Sequence, residues 1–228
     1  GQSAVAHGLD PNLKYNSLTD FIHLSQVNSG PNVLVVHPSQ PFKTVKDIVD
    51  YAKKNPGKLD YGFTHAASGH MAMELFKQTT GIFMTGIPYK GGGPMLNDLL
   101  AGTIPMFFLN QDAVLPHVRA GKLRAIAVGS PQRIVMLPEL KTIAEQGFKG
   151  FDAVSWGGLL APVGTPKEVV SRISKEVGEI LADKEVQEKL LNAGAIAHFQ
   201  PADKMAIRVS TEYEKWGKVI RDRAIQSE

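Results

Sequence analysis

Cysteine is absent from this 228-residue chain. That excludes a disulfide framework, a zinc–thiolate centre and a cysteine nucleophile. It is compatible with an oxidising compartment but does not establish one. No apolar run is long enough to cross a bilayer as a helix. The opening residues, GQSAVAHGLDP, hold neither a basic n-region nor an apolar h-region, so no signal peptide is expected within this chain. GxSxG, Walker A, HExxH and GxGxxG motifs are all missing. Neither sign of charge dominates. The net charge is +3, with Lys and Arg spread through the predicted helices, so there is no basic stripe of the kind that binds nucleic acid. A mild positive field still favours anions over cations. With 43% hydrophobic and 21% charged residues, the composition is that of a soluble globular protein, long enough for one large domain or two small ones.

The middle of the chain alternates regularly. PNVLVVHP at 31–38 reads as a buried strand, and TVKD at 44–47 as a capping box for a helix running to about Lys54. Strands are predicted over 59–64, 82–89, 104–109 and 123–128, with helices between them ending near Gly81, Gly102 and Ala120. Such β-α alternation with short loops predicts an α/β fold with largely parallel strands. A short helix is expected at Thr142–Gln146. Beyond it come a strand from Val154, a helix opened by TPKE with Thr165 as N-cap, and a second helix capped by Asp183. A short strand follows at 195–199. The last helix, about 202–223, presents Met205, Val209, Tyr213, Trp216 and Ile220 on one face, a core stripe. This pattern divides the chain into a compact unit at 32–153 and a second unit made from 1–31 and 154–228, the latter short of strands.

YGFTHAASGHMAMELF at 61–76 carries the clearest chemical signal. A strand feeds a loop of small residues, which opens a helix at Ser68 or Gly69. A helix N-terminus reached this way exposes backbone N–H groups and the positive end of the helix dipole, which together favour a carboxylate or phosphate. An ordinary strand-to-helix turn has the same appearance. His65 and His70 straddle the loop and do not share a helix face as paired zinc ligands would, so no metal is expected. Ser68 with His70 has the composition of a nucleophile and base, but at a helix start Ser68 reads more simply as a cap. Asp60 and Glu74 are the acid–base candidates, with nothing placing them together. Gly91-Gly92-Gly93 is either a second anion cradle or a turn using positive φ. Loops 64–70, 90–94 and 110–112 each follow a strand, and in parallel sheets ligands sit beyond the carboxyl ends of strands.

Five segments together carry a family resemblance: PNVLVVHPSQPFKTVKDIVDYAKKNPGKLDYGF, IPYKGGGPMLNDLLAGTIPMFF, LPHVRAGKLRAIAV, SWGGLLAPVGTPKEVV and EKWGKVI. The chain resembles the substrate-binding proteins of tripartite tricarboxylate transporters, the TctC or Bug family, over essentially its whole length. The resemblance implies a periplasmic-binding-protein type II fold, two α/β domains around a cleft, hinged where strands enter at 32–34 and leave at 153–156. It implies a periplasmic monomer that is not an enzyme, needs no cofactor, captures a small carboxylate and passes it to a membrane permease. Di- and tricarboxylates, amino acids and aromatic acids are the ligand classes. Family members bind through loop amides and ordered water, which points to Thr64, His65, Ser68, Gly69 and His70, with Asn110 as a polar wall and Ser3 as a weaker candidate. Family members also carry a further N-terminal segment with most of domain one, so domain one is expected to be incomplete here. Two local departures stand out. Leu109 precedes Asn110 where the family often has Asp, and HAASGH is shorter than the commoner Ser/Gly/Thr-rich loop and carries His65. The same fold serves as a ligand-sensing domain in regulators, which remains the alternative reading; an enzyme would need a titrating pair in the cleft.

Overall fold

The computed structural model describes Val5, Leu9 and residues 12–225. Its described elements run β1 (Phe21–Val36), α1 (Val45–Lys54), β2 (Asp60–Thr64), α2 (Ser68–Thr80), β3 (Thr85–Tyr89), α3 (Gly92–Leu100), β4 (Met106–Asn110), α4 (Gln111–Arg119), β5 (Arg124–Val128), β6 (Val154–Pro162), α5 (Lys167–Ala182), α6 (Lys184–Asn192), β7 (Ile196–Pro201) and α7 (Ala202–Asp222). The chain forms two compact units, one from residues up to Gly30 with those from Ser155 on, the other Pro31–Val154.

β1 is twice as long as the predicted strand. It runs through Gly30-Pro31 and changes partners there. Ser25–Ser29 pair with β7, whereas Asn32–Val36 pair with β4 on one side and Val33–Val36 with β5 on the other. Pro31 has no N–H to give a ladder, and it stands in the interval between the two sets of pairs. Flanked on both edges, Val33, Leu34, Val35 and Val36 have no exposed surface, as an unbroken apolar run suggests.

The expectation of largely parallel strands is corrected. β2-α2-β3 is a parallel crossover unit, but β1 is antiparallel to both β4 and β5. The helix after β1 delivers the chain to β2, which does not pair with β1. Alternation of β and α therefore left the direction of β1 relative to its real neighbours open. The core of this unit gathers Val33, Val35, Leu99, Phe107, Val114 and Val128.

Local signals succeeded where the cap is self-contained. Thr44 Oγ1 accepts from Asp47 N at 3.2 Å and the Asp47 carboxylate accepts from Thr44 N at 2.9 Å, completing the predicted box. Asp183 Oδ1 accepts from Glu185 N and Val186 N. Thr165, by contrast, is not an N-cap: its hydroxyl donates to Pro162 O at 2.8 Å, and Pro166 takes the cap position. The helix expected at 142–146 is only a turn. Thr142 and Glu145 exchange the two bonds of a capping box, but Gly147 at φ 109° ends it after one turn. In the other unit, Trp156, Met205 and Val209 form a small core. Tyr213 is only half-buried, and Glu212 occupies the buried position beside it, accepting from Trp216 Nε1.

Candidate functional site

The segment 64–70 is built from a turn and a helix start. Ala67 N donates to Thr64 O at 3.1 Å, closing a turn in which Ala66 sits at φ 56°, a left-handed conformation that L residues avoid. His70 holds it there. Its Nδ1 accepts from Ala66 N at 3.2 Å, and its ring stacks on Phe63 at 4.3 Å. The His70 side chain is thus buried against the loop, 5% exposed. Burial lowers the His70 pKa to about 4. The Glu74 carboxylate works against that shift, and the His65 and Lys77 charges add to it.

α2 begins at Ser68 with Ala67 as N-cap, so Ser68 is not a cap. Met71 N makes the first helical bond, to Ala67 O. The amides of Ser68, Gly69 and His70 precede it and find no acceptor among the described residues, as helix geometry dictates. No acidic residue lies in the first turn, so nothing within the helix neutralises its positive end. These three N–H groups at the positive end of the helix dipole are of the kind that favours an anion. The Ser68 hydroxyl turns instead toward Asn32 Oδ1 at 3.3 Å and Asn110 Oδ1 at 3.4 Å. One proton shared between two acceptors accounts for both lengths.

Gly69 is required for space rather than conformation. A Cβ there would stand 2.1 Å from the carbonyl oxygen of Phe108 in β4. Gly69→Ala must therefore push α2 off β4. A loss of about 1–3 kcal/mol is expected from such overpacking, read as a lower urea midpoint. A midpoint equal to that of the unsubstituted chain would contradict the close approach.

The three predicted loops meet at the end of β4. Ser68 reaches Asn110, Gly69 lies on Phe108, and Gly92 faces the Leu109 side chain. Asn110 is the positional N-cap of α4 with no cap bond of its own. The glycine triplet does not use positive φ: Gly91 is extended at φ 161°, and Gly92 and Gly93 begin α3. Thr64 Oγ1 and His65 Nε2 are buried atoms without a partner in the loop, and the His65 ring stands 5.6 Å from His70. Ser3 lies outside the described residues. Glu74, offered as an acid or base, is instead bonded at Oε1 by Tyr61 OH and Lys77 Nζ, both at 2.6 Å.

Two participants escaped sequence reasoning: Asn32 and the Phe108 carbonyl. The second has no side-chain signature. The first had one, because a carboxamide beginning a β-branched run is costly to bury unless both its ends are bonded.

A family profile described as the tripartite tricarboxylate transporter family receptor, TctC, matches residues 2–225. The chain belongs to this family. BugT of Bordetella pertussis is 33% identical over 220 residues, covering 96% of this chain and 68% of BugT. Among solved structures, an R. palustris protein with adipate aligns with a TM-score of 0.87 and 34% identity, over 100% of this chain and 77% of that one. MatC from Rhodopseudomonas palustris with bound malate aligns at 0.80 and 25% identity, over 96% and 76%. The chain spans about two thirds of the length of the curated relatives it matches. TctC membership and these neighbours assign the chain the periplasmic-binding-protein type II fold.

Proposed function

We propose that this TctC-family chain is a periplasmic solute-binding protein that captures a small carboxylate and hands it, unchanged, to a membrane permease of the tripartite tricarboxylate type. The observation that carries the reading is the α2 N-terminus: three acceptor-less amides, at Ser68, Gly69 and His70, with no acidic residue in the turn behind them. A carboxylate satisfies N–H groups of this kind and is favoured by the dipole. Relatives solved with adipate and with malate support the same ligand class. Thr64 and His65 precede these amides in the loop, Asn110 accepts from the Ser68 hydroxyl, and the three would discriminate among acids. An expected outcome follows from mass action. At a concentration about a hundredfold above Kd, a bound acid adds about 2.7 kcal/mol to the folded state. A thermal-shift screen of dicarboxylates, amino acids and aromatic acids, with adipate and malate included, should show a raised Tm for at least one class. The acid should be recovered chemically intact. A panel with no shift, or turnover of the bound acid, would overturn the proposal.

A further inference from the structure

α2 has no side-chain cap, and neither do α3, α4, α5 and α7. Ala67 at its N-cap offers no side-chain oxygen, whereas α1 and α6 are held by Thr44 and Asp183. The helix that carries the free amides is therefore not oriented by its own local sequence. What stands in for the cap comes from far along the chain. The Ser68 hydroxyl is bound by Asn32 and Asn110, which are 36 and 42 residues away.

Asn32 is the more constrained of the two. It is 1% exposed. Its Oδ1 accepts from Ser68, and its Nδ2 donates to Ala153 O at 3.1 Å, so both ends of the carboxamide are engaged. Its backbone carbonyl accepts from Gly129 N at 2.8 Å, and Gly129 O accepts from Ala153 N at 2.8 Å. The chain passes from one compact unit to the other between Gly30 and Pro31 and again between Val154 and Ser155. Asn32 follows the first crossing closely and Ala153 precedes the second. One buried side chain thus joins the start of α2 to both crossing segments.

We infer that Asn32 is a positioning residue for the carboxylate site: through Ser68 it sets the orientation of the amides at 68–70. This rests on the binding role proposed for those amides, but its structural half can be tested without any ligand. In the ligand-free chain, Asn32→Ala should shift the backbone amide resonances of Ser68, Gly69 and His70 and lower their order parameters. Those of α1, with its own capping box, should stay unchanged. Resonances at 68–70 identical to those of the parent protein would overturn the inference. Should Asn32→Ala not fold, Ser68→Ala probes the same link from its other end. It removes only a hydroxyl, and it should shift the Asn32 side-chain amide and the Ala153 backbone amide; no change there would equally overturn it.

The second arm uses whichever of adipate or malate the parent protein binds, measured by calorimetry. Each single substitution should weaken binding about tenfold, and the double variant no more than either alone, because both remove one link. Additive losses would refute action through Ser68. If neither acid binds the parent protein, the same arm uses an acid selected by the thermal-shift screen; if no acid of that screen binds, the carboxylate reading is at fault, and the resonance arm still decides the role of Asn32.

Discussion

Lys77→Met is expected to cost about 3–5 kcal/mol of stability at neutral pH, the usual loss when one partner of a buried ion pair is removed. Lys77 Nζ meets Glu74 Oε1 at 2.6 Å, and the two residues are only 6% and 5% exposed. Tyr61 OH donates to the same oxygen at 2.6 Å, and the Lys77 ammonium stands 5.0 Å from the centre of the Tyr61 ring. Methionine restores the length and the helix propensity of lysine. It leaves the Glu74 carboxylate in a low-dielectric site without its cation, and that desolvation is the source of the loss. The double variant Glu74→Gln with Lys77→Met removes both charges and should recover much of the stability. Urea unfolding of the three proteins at pH 7 separates these outcomes. A single variant within about 1 kcal/mol of the parent would mean that the pair is not buried in solution.

The second large effect is a loss of stability in mild acid, centred on His70. An unfolded histidine takes up a proton near pH 6.5, while folded His70 resists until about 4 because burial disfavours the imidazolium. Between those values the unfolded chain binds more protons than the folded one. Stability is therefore complete above about pH 6.5, falls as the pH drops, and stops falling from this cause below about 4. The interval corresponds to about 3 kcal/mol. His23 and His198 are also lowered by burial and act in the same direction. Glu145, held down to about 2 chiefly by its bond to Arg133, loses its contribution only in stronger acid. Asn at position 70 presents an acceptor where Nδ1 lies and does not titrate. The free-energy drop between pH 7 and pH 4 should shrink by about 3 kcal/mol in His70→Asn. A drop as steep as the parent's would show that His70 is not the group responsible.

His70 also shows where sequence reading stopped. Its place in HAASGH marked it as part of an anion loop, and its amide does sit at the third helical position. Its imidazole, five residues from His65, gave no sign that it would fold back to hold Ala66 at positive φ. That conformation depends on Phe63 and His70 stacking around the turn, a contact between residues whose spacing fits neither helix nor strand. Ser68 is similar. As a serine before an apolar helical run it reads as a cap, yet Asn32 and Asn110 offer carbonyl oxygens that draw its hydroxyl away from the helix end. A single sequence window contains no information on such competition from distant residues.

Local interactions were legible because their partners lie within a few positions of one another. The capping box at Thr44 and Asp47, the cap at Asp183, the buried run at 33–36 and the helix start at 68 all follow from propensity and periodicity, as did the presence of a small-residue loop able to offer free amides. Strand direction was not legible, because the β4 and β5 partners of β1 lie about 70 residues or more downstream and only packing chooses them. Nor were the contact of Gly69 with the Phe108 carbonyl, the burial of Glu74 with Lys77, and the bonds of Asn32 that hold the loop. The sequence by itself determined that a small-residue loop opens a helix at Ser68. Tertiary structure alone decided how it is held, because the groups that hold it become neighbours only after the chain has folded.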